Sequence, residues 1–168
     1  PLHYDANVQA QDNAPSINRV TNAGAALGRV LFYDKNLSRN NTISCASCHV
    51  QEKAFSDEST FSRGFEGGLT GAHSMRLANA NFYTAERMFW NKRAQDVEDQ
   101  VTQPIKDPTE MGFDAAHGGF EAVVTKMQGL EYYPALFEEV FGSREITEEK
   151  TKRALAQFVR SLVSTGSR

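Results

Sequence analysis

The first periodic stretch of the chain starts at Asn22, where Ala25, Ala26, Leu27, Val30 and Leu31 recur at the spacing of one helix face. Thr21 or Asn22 offers a cap at its start, and the pattern ends near Asp34. Residues 35–44 are polar as far as Ile43, after which a short helix is expected. Between Ser56 and Ala72 glycine, serine and threonine dominate, with Gly64, Gly67, Gly68 and Gly71, which predicts a long loop. In the second half Ala94, Val97 and Val101 share a helix face over residues 93–103. Phe120, Val123, Val124 and Met127 line another, and Ala135, Leu136, Val140 and Phe141 a third. Gly119 precedes the second of these segments, and Gly129 and Gly142 stand where helix C-termini are expected. The last helix is the plainest: Thr147 caps it, Glu148 and Glu149 suit its positive end, and Ala154, Leu155, Phe158, Val159 and Leu162 form its stripe. Residues 1–20 carry Asp12-Asn13-Ala14-Pro15-Ser16 and little periodicity, an extended lead-in. Strand signals are nearly absent, so the expected fold is all-α with long loops.

At 168 residues the chain suits one domain with its own core. Hydrophobic residues at 40%, charged residues at 23% and a net charge of −3 describe an ordinary globular protein and argue against nucleic acid as a partner. No apolar run approaches the roughly 18 residues needed to cross a bilayer, so no membrane span is expected. The start, Pro1-Leu2-His3-Tyr4, lacks a charged n-region and an apolar h-region, as in a chain whose leader has been removed.

Chemistry enters with Cys45-Ala46-Ser47-Cys48-His49, which holds both cysteines of the chain. C-x-x-C-H is the signature of covalent c-type haem attachment. Thiols at i and i+3 share one side of a helical turn and reach one edge of a haem, while His49 ligates the iron. A zinc site needs two more ligands at ligand-like spacing, whereas His3, His73 and His117 are scattered singly; a thioredoxin-like pair would follow a strand, and none is expected. One motif implies one covalent haem c, and haem attachment outside the cytoplasm implies export to the periplasm. His3 and His117 are assigned surface or helix-cap roles.

A second constellation joins Phe89-Trp90-Asn91-Lys92-Arg93-Ala94 to Gln100, Pro104, Glu110, Met111 and Gly112. With Ala26-Leu27-Gly28-Arg29-Val30-Leu31-Phe32-Tyr33-Asp34, Leu37-Ser38 and Ile43-Ser44-Cys45, it closely resembles the N-terminal haem domain of the bacterial di-haem cytochrome c peroxidases and the related MauG enzymes, over about residues 22–163. Trp90, Gln100 and Glu110 keep that family's two ten-residue intervals. The resemblance implies a cytochrome c-like helical domain in which the haem reacts with hydrogen peroxide, with Gln100 and Glu110 in the distal pocket and Trp90 as a stepping-stone for electrons. Elementary chemistry agrees, because O–O cleavage moves a proton from the near oxygen to the leaving one, a task for a carboxylate above iron. Singly, Glu110 and Gln100 read as exposed polar residues and Trp90 as a core anchor.

Three departures follow. His73 is the candidate for a sixth iron ligand, with Met75 as a rival and an open or water-bound site as the third choice. The stretch Met75-Arg76-Leu77 replaces an Asn-Ser/Thr-Pro segment that the family uses for calcium, so calcium is not expected there. Asn91-Lys92 stands where Asp-Gly is usual, which removes a turn glycine. The family's second haem domain is absent from this sequence, Ser164-Thr165-Gly166-Ser167-Arg168 ending about where it would begin. Electrons would then come from such a domain or from an external redox protein. The alternatives are a single-haem electron-transfer cytochrome with a filled sixth site and a MauG-like oxidase of a protein side chain.

Overall fold

The structure, a computed structural model, describes residues 6–83 and 87–165; His3 and residues 166–168 lie outside them. The amino-terminal segment is less extended than its composition suggests: it contains one helical turn, α1 (Ala6–Gln9), and a 3-10 turn at Ser16–Asn18. Next comes α2 (Asn22–Tyr33), capped by the Thr21 hydroxyl, which accepts from the Gly24 N–H at 3.0 Å. The haem motif forms the single turn α3 (Cys45–Cys48). Residues 54–79 then run without a helix, as the glycine-rich composition predicts.

Helix α4 (Val97–Lys106) starts four residues later than the apolar pattern implies. Asp96 accepts from the Asp99 N–H at 2.8 Å and so sets the start, while Ala94 is held upstream in an isolated bridge to Met88. Pro104 lies in the helix's last turn, where it has no N–H to offer the Gln100 carbonyl. Then follow α5 (Gly119–Gln128), α6 (Tyr132–Phe141) and α7 (Glu148–Ser161), the last capped by Thr147 as expected. Gly142 ends α6 in the left-handed region at φ 68°, whereas Gly129 closes α5 with an ordinary right-handed φ of −78°. The inward face of α6 differs from the expected one: Tyr133 and Phe137 are fully buried, and Ala135 is exposed. Among the described residues there is no strand, only three isolated antiparallel bridges.

The core is built where α7 lies along α2 and against α4. Leu27, Leu31 and Phe32 meet Ala154, Leu155, Phe158 and Val159, with Val97, Ile105, Val123 and Met127 closing the layer. Each large apolar side chain buried this way contributes about 1.5–3 kcal/mol. Gly28 sets how closely the two long helices approach, since a Cβ there would lie 2.0 Å from the Ala154 carbonyl oxygen.

One polar network crosses this core. Arg160, 2% exposed, forks onto Glu98 with contacts of 2.5 and 2.7 Å, and its Nε donates to Asn13 Oδ1 at 3.1 Å. Asn18 Nδ2 donates to Glu98 at 2.7 Å and Asn18 Oδ1 accepts from Gln157 at 2.9 Å. The lead-in is thereby fastened to α4 and α7, so the buried charges are paired and hydrogen-bonded, as burial demands.

Candidate active site

Helix α3 begins after Ser44, whose N–H donates to Ser47 Oγ at 3.0 Å, and ends where the His49 N–H returns to the Cys45 carbonyl at 2.9 Å. The chain then doubles back: Val50 and Ser56 form an antiparallel bridge, and Ala54 and Phe55 take φ values of 56° and 59°. Consecutive left-handed conformations are costly for residues with a Cβ. Their effect is to turn the Phe55 carbonyl onto His49 Nδ1 at 3.0 Å. A ring nitrogen that donates in this way fixes the tautomer and leaves the other for a metal. Burial depresses the His49 pKa, against hydrogen bonds to the Phe55 and Met75 backbones that raise it, which favours the neutral ring a metal requires. Burial pushes the Cys45 thiol up to about 12, with Cys48 and Glu110 adding to the shift, and raises Cys48 as well.

These three residues line a cavity of about 560 Å³, within the range of ordinary cofactor pockets. Gln100, Glu110, Trp90, His73 and Met75 line it too, so it brings together every site residue expected from the sequence. Gln100 comes from α4. Glu110 follows from a tight turn in which Asp107 Oδ1 accepts the N–H groups of Thr109 and Glu110 at 2.8 and 3.0 Å. The glycine-rich loop docks on that turn: Phe65 N–H donates to the Glu110 carbonyl at 2.9 Å, and a Cβ on Gly64 would meet the Thr109 oxygen at 1.7 Å. Burial, then repulsion from Asp107, raises the Glu110 pKa, partly offset by Arg93. A half-buried carboxyl of raised pKa on the wall of a pocket is suited to proton transfer.

Trp90 is no core anchor. It is 65% exposed, and its indole N–H donates to the His73 carbonyl at 2.9 Å. Lys92, at the position of the missing turn glycine, takes φ 55° nonetheless. The His73 ring is engaged at both nitrogens, Nδ1 with the Ser59 carbonyl at 2.9 Å and Nε2 with Ser56 Oγ at 3.2 Å. It is thus tied to the segment leaving His49, and its Nε2 is occupied by the Ser56 hydroxyl. Met75 touches the His49 ring through its own backbone. His117 ends a 3-10 turn capped by Asp114, which accepts its N–H at 3.1 Å, and its Nδ1 lies 2.5 Å from Asp114 Oδ1.

Two lining residues escaped the sequence reading. Arg93 lies 3.5 Å from the Phe89 ring centroid and donates from Nε to Gln103 at 3.0 Å, within electrostatic reach of Glu110; Asp107 shapes the Glu110 turn. Their signal was present in the Trp-to-Glu segment, but charge alone does not say which side chains face inward. Among the described residues no three His, Cys, Asp or Glu side chains converge as a bare-metal site, and no helix is long and apolar enough to cross a membrane.

Residues 22–168 match the family described as di-haem cytochrome c peroxidase. The chain is 34% identical over 151 residues to the methylamine utilization protein MauG of Methylophilus methylotrophus, covering 90% of this chain and 43% of that protein. It is 36% identical over 144 residues to cytochrome c551 peroxidase of Nitrosomonas europaea, covering 86% and 41%. Among solved structures, a MauG-like protein associated with microbial copper homeostasis superposes with a TM-score of 0.81 at 32% identity, over 91% of this chain and 44% of that one. The chain therefore spans less than half the length of these relatives. On the extent of the family match and the identity to both relatives, it belongs to the di-haem cytochrome c peroxidase family.

Proposed function

We propose that this chain forms the peroxide-reacting haem c site of a periplasmic peroxidase that reduces hydrogen peroxide to two molecules of water. Cys45 and Cys48 would carry one haem through thioether bonds, and His49 would be its proximal ligand. The observation that carries the reading is the convergence of the C-x-x-C-H motif, Gln100 and Glu110 on one cavity of about 560 Å³. When bound, the haem supplies the electron chemistry at peroxide.

The chain's own residues handle position and protons. The Phe55 carbonyl orients His49 by holding Nδ1. Glu110 takes the proton from the near peroxide oxygen and returns it to the departing one, a transfer its raised pKa favours. Gln100 donates a hydrogen bond to the bound peroxide. Trp90, exposed and beside the cavity, passes electrons in from a second haem domain. The filled-site alternative asks His73 to reach iron, and its Nε2 contact with the Ser56 hydroxyl, which would have to break, weighs against it.

The test is stopped-flow mixing of the haem-loaded protein with hydrogen peroxide. A fast change in the haem spectrum is expected in the parent, slowed about 10²–10⁴-fold in Glu110→Gln. A low-spin spectrum indifferent to peroxide and cyanide in both oxidation states would overturn the reading.

A further inference from the structure

A cluster of rings leads from His49 to the surface on the side of α2 that the peroxide chemistry above does not use. Phe32 lines the haem cavity, and its ring centroid lies 6.4 Å from that of His49. Tyr33 stacks edge-on against Phe32 at 5.3 Å, and Phe158 lies 5.0 Å from Phe32 and 6.4 Å from Tyr33. Phe55, whose carbonyl holds His49, completes the group at 6.0 Å from Phe32 and 6.3 Å from Phe158. At its outer end Tyr33 is 39% exposed and lines a second, surface cavity of about 530 Å³ with Arg29, Gln51 and Phe158. Its hydroxyl donates to Gln51 Oε1 at 2.8 Å.

Phenylalanine rings resist one-electron oxidation, whereas a phenol gives up an electron readily if its proton can leave. Tyr33 is the phenol of this ring cluster and the member with a solvated edge. We propose that Tyr33 is a redox-active side chain through which an external one-electron donor reduces the haem after peroxide has oxidised it. This inference rests on the peroxidase reading. In the step, one electron passes from the Tyr33 phenol to the oxidised haem, and the phenolic proton passes to surface water. Gln51 orients the hydroxyl but, as an amide, does not take the proton. The external donor then returns one electron while water returns the proton, restoring the phenol. Two such turnovers supply the two electrons that, with two protons drawn from solvent, convert one hydrogen peroxide into two waters. Trp90 marks a separate exposed aromatic on the cavity wall, hydrogen-bonded to the His73 carbonyl.

The experiment mixes the haem-loaded protein with hydrogen peroxide without reductant, freezes it within milliseconds to seconds and records EPR spectra, while a parallel sample is spin-trapped and mapped by mass spectrometry. A tyrosine-type radical is expected, with the trap on residue 33. Tyr33→Phe keeps the ring packing and should react with peroxide at the parental rate but lose that radical signal and that adduct. Gln51→Leu removes the phenol's hydrogen-bond acceptor and should shift the radical's EPR spectrum without abolishing it, which a merely structural Tyr33 would not produce. An unchanged radical in Tyr33→Phe, or trapping at Trp90 or Tyr132 alone, overturns the proposal while leaving the peroxidase reading intact. A haem that does not react with peroxide overturns both.

Discussion

His49 Nδ1 lies 3.0 Å from the Phe55 carbonyl oxygen, and that carbonyl is aimed by two successive left-handed residues, Ala54 and Phe55. A carbonyl on the back of a ligating imidazole fixes its rotation as well as its tautomer. The backbone strain is therefore spent at the ligand rather than at a random turn. Ala54→Gly removes a Cβ that disfavours φ 56° and should stabilise the protein by about 0.5–1 kcal/mol. Ala54→Val places a β-branched side chain there and should destabilise it by about 1–2 kcal/mol. Urea unfolding of the two variants checks both, with the midpoint moving in opposite directions at constant slope.

The turn before α4 makes a parallel case. Lys92 holds φ 55° where a glycine would be unstrained, so the loss of the turn glycine changed the cost of the turn and kept its shape. Lys92→Gly should raise stability by about 0.5–1 kcal/mol. The Phe89 carbonyl already accepts the residue 92 N–H at 3.1 Å, so the turn should survive the change. An unfolding midpoint equal to or below the parent's would contradict this account.

What was legible in the sequence was what is encoded locally. The caps at Thr21 and Thr147, the stripe of α7 and the C-x-x-C-H turn each sit within a few residues of their own signal. The Trp90, Gln100 and Glu110 intervals were legible for the same reason, since one turn and one helix separate them. The Phe55 carbonyl was not legible, because a backbone oxygen has no code in side-chain type. The roles of Asn13 and Asn18 were not legible, since their partners Glu98, Gln157 and Arg160 lie 80 or more residues further along, in α4 and α7. The α6 face was misjudged because Ala135 and Leu136 fit a stripe as well as Tyr133 and Phe137 do, and only packing against α2 and α5 decides between them.

The Glu98–Arg160 pair contributes to the acid limb of stability. Against the cost of burial, hydrogen bonds from Arg160 and Asn18 hold the Glu98 pKa below its ordinary 4.5. The stability this contributes is fully present above the unfolded value and is lost as pH falls through the lower, folded one. Glu98→Gln leaves Arg160 buried without its counter-charge and should cost about 3–5 kcal/mol at neutral pH. The variant should also lose less stability than the parent between neutral pH and pH 4 or below, so that the two unfolding curves converge on acidification. Parallel curves would exclude the pair as a contributor to the acid sensitivity.

Glu110 carries the opposite sign, and this separates its catalytic work from its structural cost. Burial and the nearby Asp107 raise its pKa above the ordinary 4.5, with Arg93 only partly compensating. Its folded form thus binds a proton more tightly than its unfolded form. The resulting stability is present below 4.5 and is lost as pH rises through the folded value. Neutralising the group by Glu110→Gln should therefore raise the thermal midpoint at pH 7, with the gain vanishing in acid. The same substitution should slow the peroxide reaction about 10²–10⁴-fold. The parent's rate should climb with pH through a titration above 4.5 that Glu110→Gln lacks, because only the carboxylate accepts the first proton. A variant that is more stable at neutral pH, slower with peroxide and flat in pH would tie all three effects to one carboxyl; a slower variant with the parent's pH profile would move the base to another residue.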